Sequence, residues 1–252
     1  LKETKKKFGK DYVGGARRSQ FAEAGEFEEV PLEAMIDKEP ITVVCSQMGW
    51  IRAMTGHIDL SRELKFKDGD GPRFIFHAET TDRLSVFGMG EPLRLMVDLP
   101  NDVEIVDILI HDPNGKLLVA STAGDGFIVP EAEVLAQTRG GKQVLNVRAP
   151  NKALVCKTVN GTHVAVVGEN RKVLVFDIEE LPEMGRGKGV RLQKYKDGGL
   201  SDATTFTLTE GLSWLDPAGR TRTETDLTEW TAKRASAGRM APRGFPRDNK
   251  FN

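Results

Sequence analysis

Apolar residues along this chain come in short dense runs rather than at helical spacing. ITVVCS, WIRAM, RFIFHA, RLSVF, LRLMV, EIVDILI, KLLVAS, GFIVP, KALVCKTV, HVAVVG, KVLVFDI and TFTLT are rich in Val, Ile, Leu and Phe. Runs of this length bounded by turn residues predict β-strands. The joints SQMGW, HDPNGK, TAGDGF, VNGTH, GENRK and DPAGR carry the Gly, Asn and Asp that tight turns need for positive φ. Helical periodicity is brief, confined to PEAEVLA and DIEELPE. The pattern predicts an all-β protein.

The order of elements then repeats. Residues 117–147 read strand, Gly/Asn turn, strand, short acidic segment, basic Gly-rich loop, strand, and residues 164–192 read the same way. A looser copy spans 212–245, and an earlier one opens at VVCSQMGWIRAMTGH. Turn centres near Gly49, Asp82, Asp125, Asn170 and Gly219 lie 33 to 49 residues apart. A period of ~40–50 residues with about four strands per unit predicts propeller-like blades, because one small sheet cannot bury both faces alone. About five four-stranded blades fit the length.

Charge sharpens this picture. The whole chain nearly balances, with 36 Lys and Arg against 37 Asp and Glu, so overall electrostatics name no partner. Locally the charge is blocked. Residues 1–20 hold seven bases and two acids, 21–42 hold seven acids and one base, and 98–114 hold five acids and no base. Residues 137–157 and 184–196 each hold five bases and no acid, and 233–250 hold six bases and one acid. Separate basic and acidic surfaces are expected, the acidic ones serving solubility or protein partners. Aromatic content of 7% argues against base stacking as the main mode of binding. No apolar run approaches the ~18 residues that cross a bilayer, and the opening LKETKKKFGK has no signal-peptide character. The chain reads as a piece of something longer.

Chemistry concentrates in two basic Gly-rich loops, QTRGGKQ (Gln137–Gln143) and GRGKGVR (Gly185–Arg191). Glycine lets backbone amides approach phosphate oxygens while Arg and Lys neutralise them. Neither is a P-loop. Arg139, Lys142, Arg186, Lys188, Arg191 and Lys194 form the expected phosphate-gripping set, with Lys196, Arg52, Arg239 and Arg243 as further members. Cys45 and Cys156 sit in apolar surroundings and are expected as buried small hydrophobes. His57, His77, His111 and His163 are scattered and are expected at the surface or in turns, without metal; Asp68-Gly69-Asp70-Gly71 reads as a turn rather than a calcium loop. Nothing recommends a nucleophile or an acid/base pair.

Three segments together resemble a known family. SQMGWIRAMTGH (Ser46–His57), LLVASTAGDGF (Leu117–Phe127) and RGKGVRLQKYKDGGLSDA (Arg186–Ala203) are similar to the C-terminal domain of the A subunit of bacterial topoisomerase IV, whose repeat gyrase A shares. FGKDYVGGARRSQF (Phe8–Phe21) resembles the junction where the coiled-coil arm of a type IIA topoisomerase enters this domain. The resemblance implies a β-pinwheel, in which neighbouring blades exchange strands, and DNA bent around a basic outer rim. Residues 1–26 would be the linker from the arm, 27–238 the pinwheel and 239–252 a basic tail.

The gyrase box QRRGGKG is matched at Gln137, Arg139, Gly140, Gly141 and Lys142 but not at Thr138 and Gln143, and MGRGKGV (Met184–Val190) departs further. That favours a topoisomerase IV role, decatenation and relaxation, over gyrase-type wrapping. The resemblance also implies that this part is non-catalytic and holds no cofactor, the holoenzyme using ATP and Mg2+. Implied partners are duplex DNA without sequence preference, the remainder of the A subunit, the ATPase B subunit of the heterotetramer, and an SMC-type condensin, in the bacterial cytoplasm and away from membranes. A protein-interaction propeller without a DNA role is the competing class, and a propeller enzyme a third.

Overall fold

The computed structural model describes residues 1–9, 37–88, 105–136, 138 and 141–251. Two compact units divide the chain, Leu1–Asp37 and Lys38–Asn252. The described part of the first is a short helix, α1 (Lys2–Phe8), with no buried residue. The expected linker at 10–26 and the strand expected at LRLMV lie outside the described residues.

The described part of the second unit is built mainly of β-strands, in five sheets. Strands β1 (Pro40–Ser46), β2 (Ile51–Thr55) and β3 (Pro72–Glu79) form the first, in the order β2-β1-β3. β4 (Leu84–Gly88) pairs with β5 (Ile105–Ile110) in the second. The third contains β6 (Lys116–Ser121), β7 (Asp125–Pro130), β8 (Ala153–Thr158) and the two-residue β11 (Val190–Arg191), ordered β11-β7-β6-β8. The fourth contains β9 (His163–Gly168), β10 (Lys172–Asp177), β12 (Leu200–Phe206) and β15 (Arg239–Met240), ordered β12-β9-β10-β15. The hairpin of β13 (Leu212–Leu215) and β14 (Thr221–Glu224) is the fifth. The two acidic segments make one helical turn, α2 (Glu131–Val134), and a 3₁₀ turn at Ile178–Glu180.

Successive sheets pack face to face through a relay of apolar clusters. Cys45, Phe74 and Phe76 meet Ile105 and Ile108, joining the first sheet to the second. Val106 and Leu109 pack on Leu117, Val119, Phe127 and Cys156 of the third. Leu118, Ala120, Ile128 and Val155 meet Val164, Val166, Leu174 and Phe176 of the fourth. Ala165, Val167, Val173 and Val175 then meet Leu212, Trp214, Phe245 and Phe251. A sheet covered on both faces needs apolar residues at consecutive positions, not alternate ones. That is why KLLVAS and HVAVVG read as unbroken runs, and each fully buried Leu, Val or Phe stabilises by roughly 1.5–3 kcal/mol. Both cysteines are free and buried, as expected.

Strand exchange gives the fold its pinwheel character. β6, β7 and β8 recur as β9, β10 and β12, beginning 47 residues later at His163, Lys172 and Leu200. The edge of each hairpin is completed by chain from the following repeat. β11 follows β10 yet pairs back onto β7, and β15 follows β14 yet pairs back onto β10. The surrounding bonds repeat too. Ile128 N donates to Pro182 O and Leu192 N to Gly124 O, while Val175 N donates to Trp230 O and Ala241 N to Arg171 O.

Two expectations change. Residues 239–251 are no tail: β15 is part of the fourth sheet, and Phe245 and Phe251 are 3% and 0% exposed in the core. Arg171, at φ 60, locks this segment by donating to Phe245 O, Pro246 O and Asn249 Oδ1. The bases at 239–250 hid that role, because three apolar residues dispersed among them make no run. The histidines are also less scattered than their spacing suggests. His57 and His77 stack with ring centroids 4.4 Å apart, each Nε2 on a backbone carbonyl, and the His111 side chain is buried 3.3 Å from Glu131. His57 follows β2 and His77 lies on β3, and the pairing of β2 and β3 on either side of β1 brings them together.

Candidate nucleic-acid interface

The two Gly-rich loops lie against one another. Gly187 N donates to Val144 O at 3.0 Å, Asn146 N donates to Gly187 O at 2.7 Å, and Leu145 and Gly187 form a parallel bridge. Repeat-related positions would have placed the loops on separate blades. The structure brings them into one cluster, because the second loop runs back over the blade that the first has just left.

Within the cluster Lys142 and Arg186 each have their own partners, while Lys188 and Arg191 share one. Lys142 Nζ donates to Glu133 O at the end of α2. Arg186 donates from Nη2 to Gln143 Oε1 at 2.9 Å and from Nε towards Asn146 Oδ1 at 3.5 Å, tying the loops together through side chains. Lys188 Nζ lies 3.0 Å from Asp125 Oδ2, and Arg191 Nε donates to Asp125 Oδ1 at 3.1 Å. The Asp125 side chain is 5% exposed, whereas Lys188 and Arg191 are 69% and 48% exposed. Both loops are acid-free in sequence, yet the fold supplies a carboxylate from the start of β7. Sequence reasoning missed Asp125. Its place in TAGDGF resembled an ordinary turn acid, and only its burial distinguishes it.

Gly189 holds this arrangement for a steric reason. Its φ is +78°, and a Cβ there would overlap the Gly126 carbonyl of β7. Gly238, at φ +74° just before β15, likewise faces the Val173 carbonyl of β10. These glycines admit the exchanged strand to the edge of its host, a role distinct from backbone approach to phosphate. A Cβ at Gly141, at φ +75°, would meet no described atom within 4 Å.

Beyond β11 the chain alternates. Tyr195 turns inward, filling a slot over Gly124 and Gly168 that a Cβ at either glycine would obstruct, and Lys194 and Lys196 are consequently exposed. Burial pushes the Tyr195 phenol far above its ordinary pKa, and its hydroxyl has no hydrogen-bond partner among the described residues. Arg52 stands apart in the first sheet, donating to Lys65 O at 3.0 Å with its guanidinium 5.6 Å from the Phe66 ring centroid. Arg239 on β15 and Arg243 after it are exposed and belong to the fourth sheet and the turn that follows. Arg139 lies outside the described residues. The structure therefore brings Lys142, Arg186, Lys188 and Arg191 together, extends them with Lys194 and Lys196, and leaves Arg52, Arg239 and Arg243 on other elements. No helix among the described residues is long and apolar enough to cross a membrane.

Comparison with known proteins matches residues 115–152 and 162–200 to the model of the DNA gyrase C-terminal domain, a β-propeller. The chain is 44% identical over 95% of its length to the A subunit of DNA topoisomerase 4 from Caulobacter vibrioides, and 40% identical over its whole length to that of Rickettsia bellii. It spans about a third of these relatives, 34% and 36%. Among solved structures it is similar to the E. coli ParC C-terminal domain, with a TM-score of 0.69 at 23% identity, covering 83% of this chain and 96% of that one. It is also similar to the DNA gyrase A C-terminal domain, with a TM-score of 0.59 at 16% identity over 80% of this chain and 76% of that one. These two likenesses concern the fold.

Proposed function

We propose that the chain is one of the C-terminal domains found in topoisomerase IV A subunits, with the gyrase A-type β-propeller fold, and that it is the accessory DNA-binding and DNA-bending part of such an enzyme. The observation that carries the proposal is the single cluster in which Lys142, Arg186, Lys188 and Arg191 stand exposed on two interlocked loops, with Lys194 and Lys196 beside them. Cations held on rigid loops, without aromatic platforms among them, fit a partner recognised by its phosphates rather than its bases. Duplex DNA is that partner, and its shape and stiffness would govern affinity more than its sequence.

Bending a short duplex costs on the order of 1–6 kcal/mol, which phosphate contacts along a curved path offset. A domain supplying that offset would select the duplex geometry presented to the cleaving part of the enzyme, in decatenation and supercoil relaxation. The chemistry itself would belong to the rest of the longer polypeptide and to its ATPase partner, the B subunit, in the bacterial cytoplasm.

The test is titration of a linear duplex across a series of salt concentrations. Neutralising several phosphates gives a slope of log K against log [salt] of about −0.9 for each. The combined R186A/K188A/R191A variant should bind all sequences more weakly and flatten the slope by about one unit per lost contact. Salt-independent binding, or unchanged affinity in a folded triple variant, would remove this cluster from the interface.

A further inference from the structure

A second arrangement of the same build occurs at the β13–β14 hairpin, where the sequence offered no acid-free basic block. Asp216 sits at the end of β13 with its side chain 5% exposed. Its Oδ2 takes two guanidinium groups, Arg220 Nε at 3.4 Å and Arg222 Nε at 3.2 Å, and those side chains are 72% and 57% exposed. Its Oδ1 accepts the backbone N–H of Ala218 at 2.9 Å and of Arg220 at 3.0 Å, which fixes the carboxylate in the turn. The Asp125 cluster has the same elements: one buried carboxylate, two exposed cations on it, and a hairpin turn beneath.

We propose that Asp216, Arg220 and Arg222 form a second phosphate clamp for duplex DNA, in which a buried aspartate aims paired cations at the backbone as Asp125 aims Lys188 and Arg191. The inference rests on the DNA-binding reading above and adds to it a site and two positioning residues, Asp125 and Asp216. Two cations at a few ångströms repel each other unless an anion lies between them. The aspartate supplies that anion from below, so the pair can face outward together at a net charge of one. Gripping an arginine through Nε also leaves its Nη groups for another ligand. Among the described residues the Nη atoms of Arg191, Arg220 and Arg222 carry no hydrogen bond, and they present the planar fork that matches phosphate oxygens bidentately. An aspartate closer to the surface would compete with phosphate. One buried below the plane of the cations orients them instead.

The two effects of the aspartate predict opposite results, which makes the test sharp. The 252-residue chain is titrated with a fluorescently labelled linear duplex of random sequence over a salt series, each variant being checked first for wild-type thermal unfolding. R220A/R222A should lower affinity about tenfold and flatten the salt slope by about 1.8. D216N removes one negative charge, so charge alone predicts tighter binding, whereas loss of orientation predicts binding weaker by on the order of threefold at an unchanged slope. R222K keeps the charge and loses the fork, and should also bind about threefold more weakly. Should D216N fail to fold, R222K and D125N carry the test. Equal or tighter binding by D216N and wild-type affinity in R222K would overturn the orienting role, and wild-type affinity in folded R220A/R222A would overturn the clamp. Failure of the wild-type chain to bind duplex salt-dependently would instead overturn the reading on which the clamp rests.

Discussion

Replacing Gly189 with alanine should separate the two meanings that a glycine in a basic loop can have. At φ +78° an alanine pays roughly 1–2 kcal/mol in backbone strain alone. Its Cβ would also overlap the Gly126 carbonyl, which is backbone inside a four-stranded sheet and cannot swing aside as a side-chain tip would. The relief is detachment of β11 from β7, with loss of paired backbone hydrogen bonds worth about 1 kcal/mol each. The sum is about 3 kcal/mol, or a fall in Tm of about 6–12 °C for a unit of this size. Gly141→Ala is the internal control. Its φ of +75° carries the same strain, but a Cβ there would meet no described atom within 4 Å, so only that strain, about 1–2 kcal/mol, is expected. Urea unfolding followed by circular dichroism, with duplex affinity measured on the same samples, reads both. Gly189→Ala should also weaken DNA binding, since Lys188 and Arg191 flank the displaced residue. Equal destabilisation by the two substitutions would refute the strand-exchange argument and return Gly189 to an ordinary turn role.

Tyr195→Phe removes a buried hydroxyl without a partner among the described residues and should leave stability unchanged or raise it by up to about 1 kcal/mol, whereas Tyr195→Ala empties the slot over Gly124 and Gly168 and should cost about 3–5 kcal/mol, both read by urea unfolding. Burial raises the Asp107 carboxyl, against the Ile108 N–H and the Lys157 charge that lower it. The folded state therefore holds that proton more tightly than the unfolded chain does, and the stabilisation present at low pH is lost as pH rises from the ordinary carboxylate range through the folded value. Asp107→Asn should flatten that part of the pH–stability curve and be the more stable protein at about pH 7, and a steeper curve would contradict it.

Strands carrying a run of apolar residues are legible in the sequence: β2, β3, β4, β5 and β8 coincide with WIRAM, RFIFHA, RLSVF, EIVDILI and KALVCKTV. The most regular runs, ITVVCS, KLLVAS, GFIVP, HVAVVG and KVLVFD, are the more deeply buried β1, β6, β7, β9 and β10. β11 and β15 are two residues long and are strands only because a host edge, more than sixty residues upstream, is open to them. β14, reading TRTE, is strand by its pairing with β13 and not by composition. The spacing of the repeats was visible because strand, turn and strand recur with little insertion. Of the site, the exposed cations were legible as acid-free blocks, but the acids that organise them were not. Asp125 is 63 positions from Lys188, and Arg220 and Arg222 stand among Glu224 and Asp226, where local charge conceals them. Charge blocks report what a segment carries, and folding decides what it meets.

Exchange of edge strands has a consequence for the growing chain. Translation proceeds from β7 towards β11, so the β6–β7 hairpin leaves the ribosome with one edge unpaired until Val190 follows, some sixty residues after Pro130. At about 5–20 residues per second that interval lasts roughly 3–12 s, and the β9–β10 hairpin then waits similarly for Arg239. An open edge beside a strongly apolar strand is a template for pairing with another nascent chain. Assembly is therefore sequential, each repeat sealing the one made before it, and the open edges of early repeats are the places where a crowded nascent chain would misassemble.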